Sequence, residues 1–367
     1  MSDRIGAIIG TIEEAAPLQL AASWDNCGLM TGNPDREVRG VLLALDGSLE
    51  VAREALTRDC QLIVTHHPLI FSPLKTLKES TPEGELLSFL IKNDLSVYSA
   101  HTSLDHAAGG VSHMLADLLE MKDLSPLVPH TGHPWKLVFY VPPSHREEVC
   151  SAVFAAGAGH MGQYSETRFV SAGEGSFVPS ERSNPFVGTP GVRETVQEER
   201  VETLVPENLV QPVTEALRRV HPYEEPAFDL FRMEIPSGSR GLGLLGSLPG
   251  TMSLEELAGN LCHLLDVPVV KVAGKPSAMV EKVAVCGGSG RSVIGDAAAQ
   301  GAGVLITGDI GYHDFQRALQ LGLAVIDAGH DATERPVLNM LASRIGDAHS
   351  VHTVVSEFRP EIFYVQK

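Results

Sequence analysis

The chain has 367 residues, too many for one ordinary core at ~150 residues per domain. Hydrophobic residues make up 43% and charged residues 20%, which excludes a disordered chain, and no apolar run is long enough to suggest a membrane span. The formal charge of -18 repels a phosphate backbone, so nucleic acid is not an expected partner.

The opening MSDRIGAIIGTIEEAAP carries acids where a signal peptide carries cations, and reads as a short amphipathic helix. Strand and helix signals then alternate through residues 38–120. VRGVLLALD, QLIVTHH and LSVYSA read as buried strands, and SLEVAREALTRD, PEGELLSFLIKN and GVSHMLADLLEM as the helices between and after them. That rhythm predicts a parallel sheet covered on both faces. Residues 133–235 change character: WKLVFYVP, a helix over HREEVCSAVFAAGAG and YSETRFVSAG form one β-α-β unit. A Gly/Pro/Ser-rich loop leads to ERVETLVP, the helix NLVQPVTEALRRV and PAFDLFRMEI, a second such unit, so the stretch predicts a ferredoxin-like sandwich. LSPLVPHTGHP and IPSGSRG, rich in turn formers, are the expected boundaries. The C-terminal stretch repeats the first plan through KVAVCGGSG, RSVIGDAAAQG, VLITGD, HDFQRALQLG, LAVIDAG and TERPVLNMLASRI.

The expected fold class is therefore α/β: a split domain of two similar halves with mainly parallel sheets, and an inserted ferredoxin-like domain. The expected limits are 1–126 and 240–367 for the two halves and 133–235 for the insert.

Three segments carry polar residues straight after predicted strands, where open parallel sheets bind ligands. The first is Thr65-His66-His67-Pro68. Adjacent residues leaving a strand point apart, so the two imidazoles can face different ions, or simply hydrogen-bond at a strand end. The second is His101-Thr102-Ser103-Leu104-Asp105, in which Asp105 is either a hard oxygen ligand or the N-cap of a helix starting near Gly109. The third runs from Asp327 to Glu334, with His330 and Glu334 four residues apart at a helix start. Together His66, His67, Asp105, His330 and Glu334 suit two divalent ions, among Zn, Fe, Mn, Co and Ni, that share a carboxylate. Such a pair lowers the pKa of a bridging water and polarises a substrate oxygen, so hydrolysis or hydration of a small molecule is the natural chemistry. His101 and His313 are expected to support the ligands, with Thr307 and Asp309 on the same rim. Gly287-Gly288-Ser289-Gly290 lacks the P-loop lysine and reads as tight-turn packing, and His221-Pro-Tyr-Glu224-Glu225-Pro as a structural turn. The five cysteines (Cys27, Cys60, Cys150, Cys262, Cys286) form no C-x-x-C pair, which fits a reducing cytoplasm.

The motifs SWDNCGLMTG, IVTHHPLIF, YSAHTSLD, AVCGGSG, LITGDIGYHD and IDAGHDATER, in this order, resemble those of the NGG-interacting-factor-three-like family, also called the GTP cyclohydrolase I type 2 homologues. The resemblance implies a dinuclear metal site on His66, His67, Asp105, His330 and Glu334, and for GTP a hydration at the purine C8 with ring opening and loss of formate. GAGHMGQYSETRF, GEGSFVPSERSNP and HPYEEPAFD are similar to the inserted P-II/CutA-like domain of the family's longer bacterial members. For those members the resemblance implies a homohexamer whose inserts cap a toroid. Asp331 departs from the aromatic residue the family often has there. A metal- or metabolite-binding assembly protein without turnover is the alternative function; a DNA-associated factor is disfavoured by the charge of -18.

Overall fold

The structure is a computed structural model that describes residues 3–359 except His133, Gly162, Gln163 and Glu234. Residues 360–367 of the expected second half, and Gly162 and Gln163 of one insert motif, lie outside the described residues. The chain forms two compact units, one of Met1–His130 with Gly238–Lys367 and one of Thr131–Ser237.

The larger unit holds two mixed sheets. In the first, Gly40–Ala44, Leu62–Thr65 and Ser96–Ser99 run parallel in chain order. His352–Val355 extends this sheet in parallel at one edge, and Gly28–Thr31 closes the other edge antiparallel. These strands are β-branched or apolar on both sides, as a sheet buried on both faces requires. Leu42, Ala44, Ile63 and Val97 pack under the helices Leu49–Thr57 and Pro82–Lys92. Their sequence neighbours Val41, Leu43, Leu62, Val64 and Tyr98 face Ile5–Ala15 and Pro336–Ala348. The two helices between strands start on side-chain caps: Ser48 accepts from Val51 N at 3.2 Å and Thr81 from Gly84 N at 3.2 Å.

The second sheet repeats the central plan with Met279–Ser289, Val304–Gly308 and Ala324–Asp327 parallel in chain order. Its edges differ. At one edge Lys271–Ala273 pairs antiparallel with Ala324–Asp327; on the other side Ile235–Ser253 pairs antiparallel with Met279–Ser289, and Lys122–Gly132 lies outside it as the edge strand. The mainly parallel sheets expected from the sequence are thus parallel in their centres and mixed at their edges. Edge strands feel one neighbour and one open side, so their sequences need not show the dense apolar run of a central strand.

Two stretches read as turn-rich boundaries are strands: Lys122–Gly132 and Ile235–Ser253, neighbours in the second sheet. Glycine permits their close approach, since a Cβ on Gly241 would run into the Val128 carbonyl. The helix Leu254–Leu264 was not anticipated, although Ser253 and Glu256 form a capping box legible in the sequence.

The smaller unit is a β-α-β-β-α-β chain. Trp135–Val141, Phe169–Phe177, Glu194–Val205 and Phe228–Arg232 form one antiparallel sheet with the fourth strand beside the first, followed by the third and the second. The helices Arg146–Ala155 and Val210–Val220 pack on each other and on Leu137, Phe139, Val201 and Val205. The turn after the second helix is structural, as expected: His221 Nε2 donates to the Tyr140 carbonyl at 2.9 Å and its Nδ1 accepts from Tyr223 N at 3.1 Å. Among the described residues no helix is long and apolar enough to cross a membrane.

Leu43 lies fully buried in the strand beside the one that ends at the histidine pair. Leu43→Ala is expected to lower stability by about 2–5 kcal/mol through the cavity it leaves, measured by urea unfolding followed by circular dichroism.

Candidate metal centre

The strand Leu62–Thr65 ends where the backbone leaves the sheet, and His66 N and His67 N still donate to Ala44 O and Leu45 O at 3.1 and 2.8 Å. Both imidazoles are therefore fixed at a carboxyl-terminal strand end. His66 is 1% exposed, and its Nδ1 donates to the Ala100 carbonyl at 2.9 Å. A carbonyl can only accept, so the Nε2 of a neutral His66 carries a lone pair. That Nε2 is buried without a hydrogen-bond partner, 3.6 Å from Asp105 Oδ1 and 3.5 Å from Glu334 Oε1.

The other rings repeat this arrangement with carboxylates. Asp46 Oδ1 holds His67 Nδ1 at 2.8 Å, Asp25 Oδ1 holds His101 Nδ1 at 2.9 Å and Asp309 Oδ2 holds His330 Nδ1 at 2.7 Å. Each Nδ1 is thus turned away on an oxygen, which leaves Nε2 as the atom offered inward. His67 Nε2 and His330 Nε2, 263 residues apart in the chain, face each other at 3.2 Å. Glu334 lies between the rings, with Oε1 3.0 Å from His330 Nε2 and Oε2 3.1 Å from His67 Nε2.

Local sequence explains the placement. Asp327 Oδ1 accepts from Gly329 N at 3.1 Å and its Oδ2 from Ile310 N at 3.2 Å, so one buried carboxylate ties the His330 turn to the Asp309 loop. Gly329 has φ +93°, which swings the chain from the strand into the one-turn helix His330–Glu334. Gly288 has φ +62° and donates to Thr333 Oγ1 at 3.0 Å; a Cβ there would collide with the Glu334 carboxylate. The glycine-rich turn therefore works as close packing against the centre. Asp105 ends the short helix Thr102–Asp105, and the next helix begins on Gly110 without a side-chain cap, so Asp105 is no N-cap.

The electrostatics favour positive charge at the His67 and His330 rings and negative charge on Glu334. Burial opposes a charge on His67, yet its bond to Asp46 and the nearby Glu334 carboxylate prevail and carry its pKa up to about 10. The Glu334 bond, against burial and with Asp309, lifts His330 to about 9. Burial pushes Glu334 up, but the nearby rings of His330, His66 and His67 hold its carboxyl well below the ordinary range. Burial raises Asp105, against the attraction of His66 and with the repulsion of Glu334.

A metal fits these residues on three counts. A buried imidazole nitrogen and a buried carboxylate oxygen, His66 Nε2 and Glu334 Oε2, have no hydrogen-bond partner. Donor atoms ~2.1 Å from one ion stand roughly 3.0–3.4 Å apart at octahedral or tetrahedral angles; His67 and His330 Nε2 are 3.2 Å apart, and each lies 3.0–3.1 Å from a different oxygen of Glu334. The donor set is nitrogen and oxygen without thiolate; Cys286 nearby is wholly buried and its pKa is pushed upward. Among the described residues, two groups could hold an ion: His67, His330 and Glu334, and His66, His67 and His101.

All five ligands expected from the sequence thus lie together. His101, expected to support the ligands, belongs to one of the two groups that could hold an ion. His313 lies on the exposed helix Tyr312–Gln320 with Nδ1 3.3 Å from Gln316 Oε1 and its ring against Tyr312. Sequence reasoning missed the roles of Asp46 and Asp25. Asp46 ends a predicted strand on the same rim, and that position was the available signal.

A family model described as Duf34/NIF3 (NGG1p interacting factor 3) matches residues 4–361. The chain belongs to this family. A Halalkalibacterium halodurans protein named GTP cyclohydrolase 1 type 2 homolog is 41% identical over 325 residues, covering 88% of this chain and 87% of its own. A Bacillus subtilis protein of the same name is 40% identical over 326 residues, with 89% and 87% covered. Among solved structures, a Bacillus cereus protein related to NIF3 aligns over 100% of both chains with TM-score 0.72 and 37% identity. Staphylococcus aureus protein SA1388 aligns over 100% of this chain and 99% of its own, with TM-score 0.77 and 27% identity.

The raised His67 and His330 values give a signed pH dependence. Their contribution to the metal-free fold is complete below the unfolded histidine value of about 6.5. It is lost as pH rises through about 9 and about 10. Thermal unfolding in chelator is expected to show falling stability from pH 6.5 to 10. With Zn or Mn added, protons no longer compete and the metal-induced gain in stability is expected to grow over the same range. Gly288→Ala is expected to displace Glu334 and cut bound metal at least severalfold, read by elemental analysis with circular dichroism as the folding control.

Proposed function

We propose that this Duf34/NIF3 chain is a dinuclear-metal-dependent hydrolase acting on a small, nucleotide-like substrate. The supporting observation is the convergence of His66, His67 and His330 Nε2 on Glu334, with Asp105 beside His66, His101 grouped with His66 and His67, and each ring backed by an oxygen at Nδ1. In this reading His67, His330 and Glu334 would hold one ion, and His66, Asp105 and His101 would supply donors for the other. Bound there, two divalent ions supply Lewis acidity and bring the pKa of water toward neutrality.

The chain's own residues do the rest. Asp46, Asp25 and Asp309 fix the tautomer and orientation of their rings, which raises the basicity of Nε2. Glu334, 3% exposed, lies between the rings of His67, His330 and His66 and would offer its negative charge to bound cations. The names of the relatives from Halalkalibacterium halodurans and Bacillus subtilis favour a purine nucleotide as substrate. The reading includes a homohexamer in the cytoplasm, with Thr131–Ser237 as a P-II/CutA-like domain; the β-α-β-β-α-β order of that unit supports the latter.

A second reading is a metal- or metabolite-binding assembly protein without turnover. It is favoured by a cavity of about 790 Å³ within the smaller unit, bordered by Tyr140, Phe177, Arg182, Phe186, Arg200 and Tyr223. That volume is within the range of small-molecule sites, ~300–1,000 Å³.

The deciding experiment screens nucleotides and phosphoesters against protein loaded with Mn, Fe or Zn. The hydrolase reading expects a metal-dependent product, and His67→Ala is expected to reduce its formation at least ~100-fold. Turnover unchanged in His67→Ala after verified metal depletion refutes it. Ligand binding without product from any substrate favours the second reading.

A further inference from the structure

An aromatic wall stands beside the candidate metal centre, and none of the ligand geometry requires it. Trp24 is 63% exposed and Phe71 54% exposed. Their rings lie 6.1 Å apart at 47°. The Trp24 ring meets His101 edge-on at 6.2 Å, and His101 in turn lies 5.3 Å from His66 and 5.6 Å from His67. The wall is therefore one ring from the inward-facing nitrogens.

The segments that carry these rings are tied down. Asp25, the residue after Trp24, accepts from His101 Nδ1 at 2.9 Å, from Thr102 N at 3.0 Å and from Thr102 Oγ1 at 2.5 Å. Ala22 N donates to Thr102 Oγ1 at 2.9 Å on the other side of Trp24. Asn26 Nδ2 donates to the Ile70 carbonyl at 2.5 Å, next to Phe71. The contacts that orient His101 thus also hold the indole in place. Two large aromatic side chains on anchored segments, left open to water at the rim of a polar site, offer a preformed apolar surface that gains free energy when a ligand covers it.

Their geometry restricts how a ligand is held. A flat ring inserted between two side-chain rings needs roughly 7 Å between parallel planes, twice the ~3.5 Å contact distance. A separation of 6.1 Å at 47° leaves no such slot. A ligand ring instead lies on an open face of one side chain with the other at its edge, an arrangement aromatic quadrupoles favour.

We infer that Trp24 and Phe71 form a ring-binding subsite that selects substrates carrying a planar heteroaromatic group close to the atom presented to the metals. This deepens the hydrolase reading and rests on the metal centre. It makes a nucleobase-like ring a determinant of affinity and places non-aromatic sugar phosphates among the poor ligands.

The experiment uses the full chain loaded with Zn and a pair of probes that share a chelating head. Acetohydroxamate has the head alone, and 2-naphthohydroxamate adds a flat ring. The sequence contains two tryptophans, Trp24 and Trp135, so in a Trp135→Phe background tryptophan emission reports Trp24. The naphthyl probe is expected to bind about tenfold more tightly than the acetyl probe and to quench Trp24. Trp24→Leu and Phe71→Leu, both at exposed positions, are expected to remove most of that advantage while metal content and acetohydroxamate affinity stay unchanged. A ring advantage absent from the parent protein, or intact in both variants, overturns the subsite. A change in oligomer mass in the variants with no change in ring preference overturns it in favour of a contact between copies. Failure of both probes to bind overturns the subsite and the metal centre together. Binding of the naphthyl probe alone, with Trp24 quenching, overturns the metal reading and leaves the subsite standing.

Discussion

The larger unit converges on one electrostatic problem: two imidazole nitrogens, His67 Nε2 and His330 Nε2, are held 3.2 Å apart with a buried carboxylate between them. Two lone pairs at that distance repel, so a proton or a metal must lie among them. Without metal, Glu334 draws protons onto both rings, and Asp46 and Asp309 accept from their far sides. A metal held at the inner nitrogens would take the place of those protons, and the orienting bonds at Nδ1 would not have to change.

The fold supports this arrangement by placing several carboxyl-terminal strand ends together. Each sheet contributes a parallel centre of three strands in chain order, and each polar loop follows one of those strands. Strand ends suit the task because the backbone there is held on one side by the sheet and free on the other. His66 and His67 come from one sheet, His330 and Glu334 from the other. The centre therefore exists only when both sheets are formed and packed. Gly288 marks how close that packing is, since even a methyl group there would meet Glu334. The aromatic wall extends the same economy, because Asp25 orients His101 and, through its neighbour, fixes Trp24.

Most of the strand–helix rhythm was legible because apolar periodicity is local. The central strands bury both faces and are nearly all Val, Ile, Leu and Ala, and the helices carry caps such as Ser48 and Thr81. The edge strands were not legible. Gly28–Thr31 and Lys122–Gly132 carry glycine, threonine or proline, which read as turns unless the partner strand is known. Nothing local tells whether His101 is a donor or a support for one; its place beside His66 and His67 is a tertiary fact. The roles of the supporting carboxylates Asp46 and Asp25 were missed, because the bond each makes is to a ring in another segment, although Asp46 did end a predicted strand.

By itself the sequence determined the donor types and their positions at strand ends, because both follow from residue identity and nearest-neighbour pattern. It also determined the absence of thiolate pairs, and with it the preference for nitrogen and oxygen chemistry. Tertiary structure alone decided which nitrogen of each ring faces inward, which oxygen holds the other, and that Glu334 lies within 3.5 Å of His66. Those relations depend on the packing of two sheets whose strands are far apart in the chain, and no local preference encodes a distance between separate segments.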